Sequence, residues 1–125
     1  MSRLILEPTA DHPITIEPTA ARVVVKIGGQ VVADTSDALT LDEAGYAPVQ
    51  YIPAQDIDQT VLRPSETTTY CPYKGDAGYF SVEIAGQEPL NDVAWFYEQP
   101  YASVAKIANR VAFYADRAEV LTLGD

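Results

Sequence analysis

The stretch RVVVKIGGQVVAD, residues 22–34, carries the clearest fold signal in the chain. Two segments rich in β-branched residues, 22–27 and 30–34, lie on either side of Gly28 and Gly29. A pair of glycines accepts the positive φ angles that a two-residue hairpin turn requires. This stretch therefore predicts an antiparallel β-hairpin.

Short β-rich runs of the same kind recur along the rest of the chain, and several of them are bounded by a proline, which opposes helical continuation. The further strands are predicted at 14–16, 49–52, 60–62, 67–71, 78–84, 93–97, 111–114 and 119–123. Segment 39–43 fits either a strand or a helical turn. The pattern is typical of a mainly β domain, in which 78–84 and 93–97 form a second hairpin.

One short helix is predicted near residues 101–110. Pro100 precedes it, and the fixed φ of proline suits a first helical turn. Val104 and Ile107 follow the spacing that places one apolar face of a helix against a sheet. No linker or repeat interrupts the sequence, so we predict a single domain over residues 1–125.

The charge balance and the cysteine count restrict the partners. The chain has 8 Lys and Arg against 18 Asp and Glu, a net charge of −10 at pH 7, which opposes binding to nucleic acid or to an anionic membrane surface. One cysteine and one histidine allow neither an internal disulfide nor a zinc site of four Cys or His ligands. No apolar run has the length of a membrane span, and no export signal is recognised. We therefore expect a cytoplasmic protein with no nucleic-acid or membrane partner.

The segment Thr67–Gly75 holds the most informative candidate site. A predicted strand ends at Cys71, Pro72 stops it, and Lys74 follows the cysteine by three residues, the spacing of a tight turn. A cation beside a cysteine favours the thiolate form, so Cys71 is a candidate nucleophile with Lys74 as its charge partner and Glu43 as a candidate acid. The alternative is a small buried cysteine at a strand end, with its lysine in solvent.

Large side chains alternate on both faces of the predicted second hairpin. Trp95 and Tyr97 share one side of their strand, and Tyr79 lies on the partner strand. Flat apolar rings with polar tips are typical walls of small-molecule sites, so this face is a candidate pocket. The helix or a second copy of the chain would cover the same face equally well.

Two further motifs carry less weight. Asp56 and Asp58 have the spacing of a Mg²⁺-binding pair in nucleotidyl transfer, but two acids around one residue also occur on exposed strands. His12, near the N-terminus, is expected at the surface or as a capping residue rather than as a base.

Several segments spread over nearly the whole chain carry a family resemblance. They are DHPITI (11–16), VADT (32–35), PVQYIP (48–53), TTYCPYKG (68–75), AWFY (94–97) and AFYADR (112–117). In these segments the chain resembles domain of unknown function family 427, which is sometimes labelled nucleotidyltransferase-like. The resemblance implies a β-tent fold, in which two antiparallel sheets meet at an angle with a short helix at one side.

The resemblance also implies a site between the two sheets. Some proteins of this fold hold zinc with Cys-x-x-Cys knuckles, but Lys74 stands where the second cysteine would be, so we predict no metal and no cofactor. We expect the pocket to bind a small molecule with a planar part and an anionic group. The candidate catalytic residues are Cys71, Lys74 and Glu43, and the candidate ligand-binding residues are Tyr51, Tyr73, Tyr79, Trp95 and Tyr97.

Whether the domain is catalytic stays open at this point. One alternative is an enzyme, either thiol-dependent or nucleotidyltransferase-like. Another is an interaction module without a ligand, whose aromatic face is covered by a second copy in a homodimer.

Overall fold

The computed structural model of the protein describes residues 3–123. Within these residues it contains ten strands and two short 3₁₀ helices, Ala54–Asp56 and Ala102–Ile107. The strands are β1 (Ile14–Pro18), β2 (Arg22–Ile27), β3 (Gln30–Thr35), β4 (Leu39–Glu43), β5 (Val49–Pro53), β6 (Leu62–Cys71), β7 (Gly75–Val82), β8 (Leu90–Tyr97), β9 (Arg110–Phe113) and β10 (Glu119–Leu123). No helix in this part of the chain is long and apolar enough to span a membrane.

The strands form two antiparallel sheets, which confirms the predicted mainly β fold. Seven strands pair in the order β1-β4-β5-β9-β8-β7-β6, and three pair in the order β10-β2-β3. The hairpin predicted at 22–34 is the β2–β3 pair, and its turn has φ angles of 57° at Gly28 and 83° at Gly29. Glycine accepts both angles without the clash that a Cβ would cause.

Two strand predictions change in the structure. Segment 67–71 lies in the long strand β6, but of segment 60–62 only Leu62 does, because Thr60 and Val61 form a turn. The pairing of β6 with β7 is irregular between Pro64 and Thr68. Pro64 itself still pairs with Phe80 and the register shifts only after it, so the proline does not end the strand. Segment 39–43, which fitted two structures, is strand β4 and pairs with both β1 and β5.

The predicted short helix is present, but it is a 3₁₀ helix over Ala102–Ile107 and not a regular α-helix over 101–110. Val104 has φ −126° and ψ 25°, so the segment is kinked. Val104 and Ile107 are both fully buried. Residues three apart share a face in a 3₁₀ helix as well as in an α-helix, so their spacing does not distinguish the two.

The seven-stranded sheet packs apolar side chains on both of its faces. On one face, Ile52 and Phe113 join Val25 of the three-stranded sheet in the larger core. On the opposite face, Tyr51 and Ala112 belong to a second apolar cluster. Neighbours such as Tyr51 and Ile52 fall into different clusters because successive side chains of a strand point in opposite directions.

The seven-stranded sheet curls so that its two ends meet. His12, which precedes β1, stacks on Tyr73 in the β6–β7 turn with ring centroids 4.2 Å apart. Glu43 at the end of β4 contacts Lys74 in the same turn. β1 and β4 lie at one end of the sheet order and β6 and β7 at the other. The curl therefore encloses a hollow.

Candidate functional site: a tyrosine-lined cavity

A cavity of about 390 Å³ occupies this hollow, and we call it the tyrosine cavity. Its lining residues are Leu41, Glu43, Tyr46, Ala47, Val49, Tyr51, Cys71, Lys74, Tyr79, Trp95, Tyr97 and Tyr114. All of them belong to the seven-stranded sheet or to a loop beside it. The pocket was predicted between the two sheets, and the structure places it instead on the face that carries the second apolar cluster. Alternation along a strand shows that both faces carry large side chains, but not which face the other sheet covers.

Trp95 forms the central wall of the tyrosine cavity. Its indole N–H donates to the Tyr51 hydroxyl at 3.2 Å, and the two rings meet edge to face with centroids 6.5 Å apart. On its other side, Trp95 lies 4.5 Å from the ring of Tyr114. Tyr79 is directly opposite Trp95 in the β7–β8 pairing. This arrangement offers flat apolar surfaces with hydroxyl groups at their edges.

Tyr97 presents an unpaired hydroxyl to the cavity. The residue is only 7% exposed, and its hydroxyl has no hydrogen-bond partner among residues 3–123. The described chain has no fully buried side-chain polar atom without a partner, so this hydroxyl is open to the cavity that Tyr97 lines. Burial raises the pKa of Tyr97 above its ordinary value, and the hydroxyl is therefore a protonated donor at neutral pH.

The turn between β6 and β7 brings a cation and a thiol into the cavity. The Lys74 backbone N–H donates to the Cys71 carbonyl at 3.2 Å, and Gly75 follows with φ 112°, an angle that other residues rarely adopt. As the spacing predicts, the Lys74 ammonium returns to 3.8 Å from the Cys71 sulfur. Its closer partner is Glu43, whose Oε1 lies 2.5 Å from Nζ.

Glu43 joins Lys74 to His12. The second carboxylate oxygen of Glu43 lies 2.7 Å from Nε2 of His12, and the side chains of Glu43 and Lys74 are only 11% and 10% exposed. Burial opposes ionisation of Glu43, but the hydrogen bonds from Lys74 and His12 outweigh it, so the pKa of Glu43 is below its ordinary value. An ionised carboxylate thus already compensates the Lys74 ammonium.

The cavity brings together seven of the eight predicted site residues. They are Glu43, Tyr51, Cys71, Lys74, Tyr79, Trp95 and Tyr97. The eighth, Tyr73, does not line the cavity, because its ring stacks on His12. The sequence therefore predicts correctly that these seven residues lie together. The catalytic or binding role of each residue stays a prediction.

His12 and five of the lining residues were missed from the sequence, and these five are Leu41, Tyr46, Ala47, Val49 and Tyr114. His12, expected at the surface or as a cap, is partly buried against Glu43, a residue 31 positions away. No local pattern reveals such a contact, because it exists only across the curl. Tyr114, at the cavity mouth, lies in one of the segments that carry the family resemblance, and that was the available signal. Burial and the neighbouring Tyr79 hydroxyl raise the pKa of Tyr114 to about 12.

The acidic pair lies outside the tyrosine cavity. Asp56 accepts a hydrogen bond from the Thr35 hydroxyl at 2.7 Å, and Asp58 accepts one from the Thr60 hydroxyl at 2.6 Å. Among residues 3–123 no three His, Cys, Asp or Glu side chains are gathered as metal ligands. Both aspartates therefore serve local hydrogen bonding in this structure.

Comparison with known proteins gives one family. The model of NTP_transf_9, described as a domain of unknown function (DUF427), matches residues 15–124. This range contains every residue that lines the tyrosine cavity. No curated protein matches the chain.

Proposed function

The chain belongs to the DUF427 family, and we propose that it binds one small planar molecule in its tyrosine cavity. The volume of about 390 Å³ lies at the lower end of the range for ligand sites. A guest with one or two fused rings fits between walls of this kind, since Trp95 and the neighbouring tyrosines offer flat faces for stacking.

The observation that carries the proposal is the unpaired hydroxyl of Tyr97. A guest that displaces water from this hydroxyl without accepting its hydrogen bond leaves a desolvated donor, which costs about 1–3 kcal/mol. A guest that accepts the hydrogen bond avoids that cost. The ligand therefore needs at least one acceptor atom at the edge of its planar part.

The ion pair between Lys74 and Glu43 refines the charge expected of the ligand. The sequence-based hypothesis used Lys74 as an anchor for an anionic group. With its ammonium 2.5 Å from an ionised carboxylate, Lys74 offers little net charge to a guest. We therefore propose that the ligand is neutral where it enters the cavity.

The test uses Trp95, the single tryptophan of the chain, as its reporter. Planar heterocycles with ring acceptors are titrated against the protein while the emission of Trp95 and the melting temperature are followed. We expect saturable quenching with at least one of them. Tyr97→Phe removes only the hydroxyl and should weaken that binding about 2- to 10-fold, since a net hydrogen bond contributes about 0.5–1.5 kcal/mol.

Tyr73→Phe is the matched control, because it makes the same change on a tyrosine that lies outside the lining. It should leave the affinity unchanged. The proposal is wrong if no planar compound changes either signal, or if both variants weaken binding equally.

A second candidate function is thiol chemistry at Cys71, favoured by the 3.8 Å contact between its sulfur and the Lys74 ammonium at the cavity wall. Here Cys71 is the nucleophile and Lys74 its charge partner, with Glu43 holding the lysine in place. The test is the rate of alkylation by iodoacetamide at pH 7, followed by mass spectrometry. A rate above that of free cysteine supports a nucleophile, and a lower rate identifies a structural thiol.

The remaining alternative, a homodimer, places a second copy over the cavity mouth. Tyr46 and Tyr114 at this mouth are 69% and 37% exposed. Sedimentation of the wild type and of Trp95→Ala separates this alternative from ligand binding, because only the dimer predicts a change in mass. For either function we retain the cytoplasm as the proposed compartment.

A further inference from the structure

A shallow polar groove adjoins the tyrosine cavity. Its volume is about 380 Å³, and it shares Tyr79 and Tyr114 with the cavity as common walls. Thr67 and Thr69 of β6 form one side of this groove. The cavity and the groove therefore lie on either side of these two tyrosines.

The polar atoms of the groove suit hydroxyl groups. The Thr67 hydroxyl donates to Asp92 at 2.7 Å, and the hydroxyls of Thr69 and Tyr79 lie 2.9 Å apart. Asp116 adds an exposed carboxylate. Each carboxylate has lone pairs that accept further hydrogen bonds, and bonds from a hydroxyl to an ionised carboxylate are among the stronger ones.

The charge of the groove disfavours an anionic group. Asp92 and Asp116 contribute two negative charges against one positive charge from Arg117. The Arg117 guanidinium is already engaged, since its Nη1 donates to the Asn91 carbonyl at 2.7 Å. The whole chain adds a net charge of −10. A phosphate in this groove would therefore meet net repulsion.

We propose that the tyrosine cavity and the polar groove form one two-part site for a planar ring joined to an uncharged polyhydroxyl group, as in a nucleoside or an aryl glycoside. This proposal rests on the proposed function, because the cavity supplies the ring site. It adds that the groove binds the sugar and rejects a phosphate on it. Tyr97 lines the cavity and not the groove, so the acceptor atom belongs on the ring end of the ligand.

The experiment compares matched ligands by calorimetry at 0.15 M salt. One series is adenine, adenosine and adenosine monophosphate, and the other is phenol and phenyl β-glucoside, which are both neutral at pH 7. In at least one series we expect the sugar to tighten binding by about tenfold or more, since hydrogen bonds to charged groups are stronger than neutral ones. The monophosphate should bind more weakly than adenosine.

Asp116→Ala should abolish the gain from the sugar and leave binding of the bare ring unchanged. Asp42→Ala is its control, because Asp42 is also exposed and lies outside both parts of the site. It changes the net charge equally and should leave all affinities unchanged.

The outcomes separate the two proposals. If the rings bind in a Tyr97-dependent way and their sugars add nothing in either series, the two-part site is wrong and the ring site stands. If adenosine monophosphate binds more tightly than adenosine, the groove is a phosphate site and the inference is overturned. If neither rings nor glycosides bind, both proposals fail.

Discussion

Removing the charge of Glu43 should weaken the side-chain contacts that join the two ends of the curled sheet. Glu43→Gln keeps the shape of the side chain and deletes the negative charge that faces Lys74 at 2.5 Å and His12 at 2.7 Å. Loss of one partner from a fully buried ion pair costs about 3–5 kcal/mol. His12 is 27% exposed, which admits some water, so we expect a loss of about 2 kcal/mol in the free energy of unfolding.

Urea unfolding measures this loss, and Glu83→Gln is its matched control. Glu83 pairs with Arg63 at 3.0 Å, but both side chains are about half exposed, 52% and 48%. Such a pair contributes at most about 0.5–1 kcal/mol, so the control should be nearly neutral. The reasoning is refuted if the two variants lose the same free energy of unfolding, or if Glu43→Gln is as stable as the wild type.

The pH dependence gives a second readout of the same contact. The pKa of Glu43 is lower in the folded protein than its ordinary value of 4.5. The unfolded chain therefore binds the proton more readily, and the stability that the carboxylate contributes is fully present above about pH 5. It is lost as the pH falls through the folded pKa. The stability difference between the wild type and Glu43→Gln should shrink as the pH falls below about 4.5, because the wild-type carboxylate is then protonated.

Two further changes test packing on the two faces of the seven-stranded sheet, one at Gly78 opposite the cavity and one at Tyr51 in the cavity wall. Gly78→Ala places a Cβ 2.6 Å from the Phe96 ring, so we expect the free energy of unfolding, measured with urea or heat, to fall by about 1–3 kcal/mol. The second substitution Phe96→Leu should restore most of this loss. A Gly78→Ala variant as stable as the wild type would contradict the close contact. Tyr51→Phe removes the acceptor of the Trp95 N–H. This change should lower the free energy of unfolding by about 1 kcal/mol and shift the emission of Trp95. Unchanged emission would show that the hydrogen bond is not formed in solution.

Local chemistry made the strands of this protein predictable. The two glycines at 28 and 29 identify the first hairpin, and alternation correctly places Trp95, Tyr97 and Tyr79 on one face. The four-residue turn from Cys71 to Lys74 was likewise within reach, because the geometry of a turn depends on neighbouring residues alone.

Long-range arrangement was not predictable in the same way. The curl brings His12 into contact with Glu43, and the periodicity of apolar residues in strands or helices does not predict that contact. For the same reason the pocket was wrongly placed between the two sheets, although its residues were assigned to the right face of β8, since the sequence of β8 does not say which side the three-stranded sheet covers. The sequence could not distinguish a 3₁₀ helix from an α-helix here, because the spacing of Val104 and Ile107 fits both helix types.

The irregular strand β6 has a consequence for association between molecules. It is one of the two outer strands of the seven-stranded sheet, and an outer strand with free N–H and C=O groups is a template for pairing with another chain. Pro64 withholds a donor from this border, the pairing slips between Pro64 and Thr68, and Arg63 and Glu66 add charge beside it. Together they make this border a poor template for fibrous association, even though an antiparallel sheet ends there.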